Sequence, residues 1–233
     1  MHDDRIPAVV TGKRPVAQGY YAVEFEMTLN SELPPFEDGA IVDLIRHNGI
    51  DSRHSLPLWH DSSRRNAFVV HVRQEPEEKC EEFRLLSSWN RGDEIYLGAP
   101  RGAEVAIDPR ARHILFSAGV GATAIAGFAR RLASTAGCCF EVHNFARTPE
   151  RLVFRAELDE LSERAQIRHQ IGLSEEQIAN ATAHAVSPTQ ANSRVICSGP
   201  PAFMELIERQ ALQWVYPSNV HKIILGETTL DVA

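Results

Sequence analysis

Two glycines and a threonine, Gly119, Gly121 and Thr123, stand in the run Ser117-Ala-Gly-Val-Gly-Ala-Thr123, and their spacing suits one kind of chemistry. Glycines at a turn let the backbone come close to a ligand, and the free N–H groups of a helix that follows attract an anion such as a pyrophosphate. These are two of the three glycines of a full dinucleotide fingerprint, with Thr123-Ala124 where the third would stand. A tight strand-to-helix turn that binds nothing has the same sequence, so the reading depends on its surroundings. The apolar run His113 to Phe116 predicts a buried strand before the turn, and Ala124 to Leu132 has helical spacing after it.

The other reactive residues are less organised. Four cysteines, Cys80, Cys138, Cys139 and Cys197, show neither the CxxC pairs of a zinc site nor the CxxxxCxxC run of a plant-type iron–sulfur cluster, so no metal centre is expected in this chain. Cys138-Cys139 read as small apolar residues at the start of an apolar segment. With 24 basic and 31 acidic residues the net charge is −7, which disfavours a nucleic-acid surface. No apolar run is long enough to span a bilayer and the first residues form no export signal; a cytoplasmic protein without a membrane partner is the expectation.

The 233 residues suit two domains. From Ile6 to about Pro109, short alternating segments at 8–12, 20–29, 40–45, 67–73 and 94–97, separated by Gly, Pro, Asn and Asp, predict a small β-barrel over residues 1–108. One helix, Lys79 to Trp89, interrupts it. Residues 109–233 then alternate strands with helices: strands at 113–116, 140–145, 166–170 and 194–197, helices at 122–136, 149–163 and 202–214, and a surface segment at 178–192. That order implies a parallel α/β sheet whose ligand crevice lies at the carboxyl ends of its strands, beside 119–123, 144–147 and 197–201.

A barrel followed by such a domain, carrying Phe36-Glu-Asp-Gly-Ala-Ile-Val-Asp43, Ser55-Leu-Pro, Gly92-Asp-Glu-Ile-Tyr-Leu-Gly-Ala-Pro-Arg101, the glycine turn, His143-Asn-Phe-Ala-Arg-Thr148 and Cys197-Ser-Gly-Pro-Pro-Ala-Phe-Met204, resembles the ferredoxin-reductase superfamily. The closest likeness is to oxygenase reductases of the phthalate dioxygenase and vanillate demethylase type. The resemblance implies FMN on the barrel, NADH or NADPH on the α/β domain, and electrons passed on to a multicomponent oxygenase. It places Arg53, His54, Ser55 and Arg73 at the flavin. It places Gly119, Gly121, Thr123, Arg147, Cys197 and Gly199 at the nucleotide, with Cys197 near the nicotinamide.

Three departures shape the expectation. The family motif Arg-x-Tyr-Ser/Thr is here Ser52-Arg53-His54-Ser55, which moves the arginine by one residue and so to the other strand face. The glycines that cradle the flavin phosphate in the family are replaced by Pro76-Glu-Glu-Lys-Cys-Glu-Glu82. The sequence ends without the family's ferredoxin domain, so a separate ferredoxin-bearing chain and a hetero-oligomer are implied. Three functions stay open: an oxygenase reductase, a cofactor-depleted subunit that docks or scaffolds an oxygenase, and a free-standing flavin reductase.

Overall fold

The computed structural model describes residues 5–28, 33–37, 39–45, 53–60, 67–73, 89–102, 105–187 and 192–228. The chain forms two compact units, Met1–Ala103 with Leu225–Ala233, and Glu104–Ile224.

In the first unit, β1 (Ile6–Ala17), β2 (Tyr20–Met27), β3 (Ile41–Ile45), β4 (Arg53–His60), β5 (Ala67–Arg73), β6 (Glu94–Leu97) and a late strand, β12 (Gly226–Thr228), are ordered β12-β4-β3-β6-β1-β2-β5. Pairing of β4 with β5 closes β1 to β6 into an antiparallel barrel. Alternation decides what fills it: Val23 and Phe25 of β2, Val42 and Leu44 of β3, Leu56 and Leu58 of β4, and Phe68, Val70 and Val72 of β5 point inward. Strand β4 does not figure among the segments found by alternation in the sequence, because Pro57 and two histidines blur its pattern; its neighbours supply the order that its own residues lack.

The free edge of β4 is shared. Leu58 to His60 pair with β5, whereas Arg53 to Ser55 pair with β12. The sequence reading gave all of 109–233 to the α/β domain; strand β12 returns to the barrel instead, where backbone groups that β5 does not reach need partners. The helix expected at 79–89 lies outside the described residues except for Trp89, and so does the acidic run 76–82.

The second unit is a parallel sheet of β7 (Arg112–Ala118), β8 (Cys139–Ala146), β9 (Gln166–Ile171), β10 (Ser193–Ser198) and β11 (Val220–Lys222), in the order β11-β10-β7-β8-β9. Helix α1 (Gly121–Ser134) follows β7, and its residues from Gly121 to Ala129 are all buried. Such a helix, buried almost all round, suits a stretch rich in alanine, which brings its axis close to the sheet.

Two helical expectations change. The amphipathic segment 149–163 does not form one helix: a single 3-10 turn at Pro149–Arg151 is followed by Phe154 with φ +60, and only then by the short α2 (Arg155–Asp159). Three successive apolar residues, Leu152, Val153 and Phe154, are all buried, which a regular surface helix cannot achieve with adjacent positions 100° apart. Conversely, the segment read as surface from 178 contains most of α3 (Glu175–Val186), started by a capping box in which the Gln177 N–H donates to Ser174 Oγ at 3.2 Å and the Ser174 N–H to Gln177 Oε1 at 2.8 Å. Helix α4 (Pro201–Ala211) completes the unit.

Candidate functional site

Strand β7 ends at Ala118, Gly119 takes the left-handed backbone with φ +57, and α1 begins two residues later. A left-handed residue reverses the chain within one step, which glycine does without steric cost. The N–H groups of Ala122 and Thr123 donate back to the carbonyls of Gly119 and Val120, both at 3.0 Å. The donors left for a ligand at this end are therefore those ahead of Ala122. At Gly121 the reason for glycine is packing: a Cβ there would overlap the Ser198 carbonyl and stand 2.6 Å from the Gly199 nitrogen. At Gly199 a Cβ would lie 2.9 Å from the Phe203 ring and 3.1 Å from the Ala118 oxygen. The turns after β7 and β10 thus touch backbone to backbone, bringing Gly119, Gly121 and Gly199 together at the carboxyl ends of two neighbouring parallel strands. This is where open α/β sheets take ligands.

Polar side chains that the sequence reading did not single out fix this region. Ser117 is in register with Asn144 on one side and Ser198 on the other. Its hydroxyl donates to Asn144 Oδ1 at 2.9 Å, Asn144 Nδ2 donates to the Val153 carbonyl at 3.0 Å, and Ser198 Oγ donates to the Ile223 carbonyl at 2.9 Å. The available signal was a polar residue at the last buried position of β7 and of β10, and next to the last in β8. Arg147, one residue beyond β8, is exposed and takes no carboxylate partner among the described residues.

Thr123 and Cys197 reach the same neighbourhood with their side chains turned inward. Thr123 is fully buried and its hydroxyl has no hydrogen-bond partner. Cys197 packs among Ile114, Phe116, Met204 and Ile207, and burial pushes its thiol up to about 12. The resemblance puts Cys197 beside the nicotinamide; in the structure its side chain is buried in the core of the second unit.

On the same side of the sheet as Cys197, a chain of polar groups runs through the interior. Arg112 donates to Glu141 and, at 2.9 Å, to the Ala185 carbonyl; Glu141 also meets His143 Nε2 at 3.2 Å, and Gln170 meets His143 Nδ1 at 3.0 Å. Burial pushes the Glu141 carboxyl up, but His143 and Arg112 outweigh it and hold the group below its ordinary value. The His143 ring stacks on Phe116, with centroids 5.1 Å apart.

In the barrel, Ser55 closes a triangle. Its hydroxyl donates to Asp43 Oδ1 at 2.7 Å, and Arg101 donates to both Asp43 Oδ1 (2.8 Å) and Ser55 Oγ (2.7 Å). The arginine fills both contacts with N–H groups, so the short contact between the two oxygens requires the serine proton between them. Arg101 ends the run Gly92 to Arg101 on which the resemblance partly rests, but the sequence pointed to no partner for its side chain. His54 is buried, on the strand face that it shares with Leu56 and Leu58. Arg73 ends β5 and is partly buried, while the Arg53 side chain lies outside the described residues. Among the described residues no group of three or more His, Cys, Asp or Glu could hold a metal ion, and no helix is long and apolar enough to cross a membrane.

Comparison with known proteins places these features. No family model matches the chain. Phthalate dioxygenase reductase from Burkholderia cepacia is 29% identical over 227 residues, which cover 95% of this chain and 68% of that protein. A vanillate O-demethylase oxidoreductase from a Pseudomonas species is 26% identical over 200 residues, 85% of this chain and 62% of the relative. A solved structure of phthalate dioxygenase reductase, described as modular for electron transfer from pyridine nucleotides to [2Fe-2S], superposes with a TM-score of 0.76 at 26% identity, covering 95% of this chain and 68% of that one. By its barrel and its parallel sheet the chain has the ferredoxin-reductase fold, and along nearly its whole length it is similar to reductases of that superfamily.

Proposed function

We propose that this chain is the reductase part of a multicomponent oxygenase, taking reducing equivalents from NADH or NADPH and passing electrons, by way of a flavin, to a partner protein with an iron–sulfur centre. The observation that carries the reading is the convergence of Gly119, Gly121 and Gly199 at the carboxyl ends of β7 and β10, in a chain whose other unit is a closed barrel. Bound flavin, in the FMN form that the resemblance implies, supplies the conversion of a hydride into single electrons. In this reading the N–H groups ahead of Ala122 receive the pyrophosphate of the nucleotide, and Arg147 supplies a cation beside it. Thr123 and Cys197 act through backbone and packing, consistent with their burial. On the barrel, Arg53, His54, Ser55 and Arg73 are proposed for the flavin, and Ser55 comes to that task with its proton held by Asp43.

The test is an absorbance spectrum of the purified chain, before and after incubation with FMN, followed by titration with NADH and NADPH. A flavin band that bleaches with either nucleotide supports the reading. No uptake of flavin and no binding of nucleotide overturns it. That outcome selects a non-catalytic docking subunit, with which the packing requirement for glycine at position 121 is equally compatible. Within the reductase reading, Arg147→Ala weakens nucleotide binding by about tenfold, as loss of one charge-assisted contact does, and flattens its salt dependence. Isothermal titration at two salt concentrations checks both.

A further inference from the structure

We infer that Asn144 is a positioning residue for the nucleotide, acting through Arg147; the inference rests on the nucleotide-binding reading above. The segment from Arg147 to Arg151 is an arch: Arg147, Pro149 and Glu150 are exposed, and the arch stands on two buried feet, Asn144-Phe145 at the end of β8 and Leu152-Val153-Phe154 on its return. Within the arch, the N–H groups of Arg151 and Leu152 donate back to Thr148 and Pro149, at 3.2 Å each. One hydrogen bond joins the two feet, from Asn144 Nδ2 to the Val153 carbonyl at 3.0 Å. The other end of the same amide accepts from Ser117, the last polar residue before the glycine turn. A single buried side chain therefore ties the turn after β7, the end of β8 and the return of the arch.

The return carries a second mark. Phe154 is the one non-glycine residue with positive φ among those described, at +60, and it immediately follows the carbonyl that Asn144 holds. Such a conformation persists only where its surroundings over-determine it. A buried asparagine with both ends of its amide engaged, next to a left-handed phenylalanine, is more than the arch needs merely to be a loop. What the arrangement fixes is where the arch stands over the strand ends, and the arch's charged residue next to β8 is Arg147.

The experiment is a double-mutant cycle on the whole chain, with binding of NADH and of NADPH measured by isothermal titration. Asn144→Ala is expected to weaken binding by about fivefold, as displacement of a single charged contact does. In the Arg147→Ala background the same change is expected to have no further effect, because its route to the ligand is already gone. Equal losses in both backgrounds, or wild-type affinity in Asn144→Ala, overturn the inference while leaving nucleotide binding intact. If Asn144→Ala does not fold, Asn144→Leu replaces it in the cycle: it fills much the same volume, adds no charge, and removes both the acceptor for Ser117 and the donor to Val153. Failure of the wild-type chain to bind either nucleotide is a different result, and it removes the reading on which the inference stands.

Discussion

Gly121→Ala is expected to cost more than about 3 kcal/mol and to abolish nucleotide binding, because the added methyl overlaps backbone atoms. Two opposing effects decide the sign. Replacing glycine by alanine restricts the unfolded chain and favours the folded state by about 0.4–1 kcal/mol where the native backbone accepts it. At position 121 the new methyl meets the Ser198 carbonyl and the Gly199 nitrogen, which are backbone and have no rotamer by which to withdraw. Relief requires α1 to move off β10, and the residues at the start of α1 are buried, so the movement opens gaps along the helix. The clash wins. Urea denaturation followed by circular dichroism gives the stability loss, and titration with NADH gives the binding loss. Gly102→Ala is the control: nothing lies within 4 Å of its Cβ position, and its stability stays within about 0.5 kcal/mol of the parent. Equal behaviour of the two variants would refute the packing account.

The second large effect is on pH. His71 sits on β5, in a row across the barrel with Ala22 of β2 and Arg14 of β1, and is buried. Burial, with a smaller contribution from the Arg14 charge, lowers its value to about 3. In the unfolded chain the same imidazole takes up a proton near 6.5. Between these limits the unfolded state binds a proton that the folded state refuses, so stability falls as pH drops below 6.5 and stops falling only near 3, where the folded form is protonated too. The slope is about 1.4 kcal/mol per pH unit, which amounts to about 2–3 kcal/mol by pH 4.5. His71→Gln, which does not titrate, removes this part of the acid slope. Trp59 and Trp89 are in the first unit and Trp214 in the second, so in a Trp214→Phe background tryptophan fluorescence reports barrel unfolding. Identical slopes with and without His71 between pH 6.5 and 4.5 would show that other groups set the acid limit.

The buried polar groups differ in how much of their role was readable beforehand. Gly119 and Gly121 were legible as a pair, because a turn between an apolar run and an alanine-rich helix is a local pattern. The reason for each was not: Gly119 is needed for its left-handed backbone, Gly121 for the approach of β10, about 80 residues further along the chain. Asn144, Ser117 and Ser198 carried only a faint signal, a polar residue ending an apolar strand. Their partners, Val153 and Ile223, come from segments that no local pattern connects to them. The Ser55 triangle was hidden for the same reason, since Asp43, Ser55 and Arg101 come from separate parts of the chain.

By itself the sequence determined the order of the two folds, the strand at 113–116 with its glycine turn, and the polar composition of the strand ends, because alternation, helical spacing and turn residues act between near neighbours. Only the tertiary structure decided that β12 returns to the free edge of β4, that Phe154 breaks the expected helix, and that the side chains of Thr123 and Cys197 face inward. Those outcomes depend on which backbone groups lack partners and which apolar residues must be buried together. Both are settled between residues far apart in the chain, and local pattern holds no record of them.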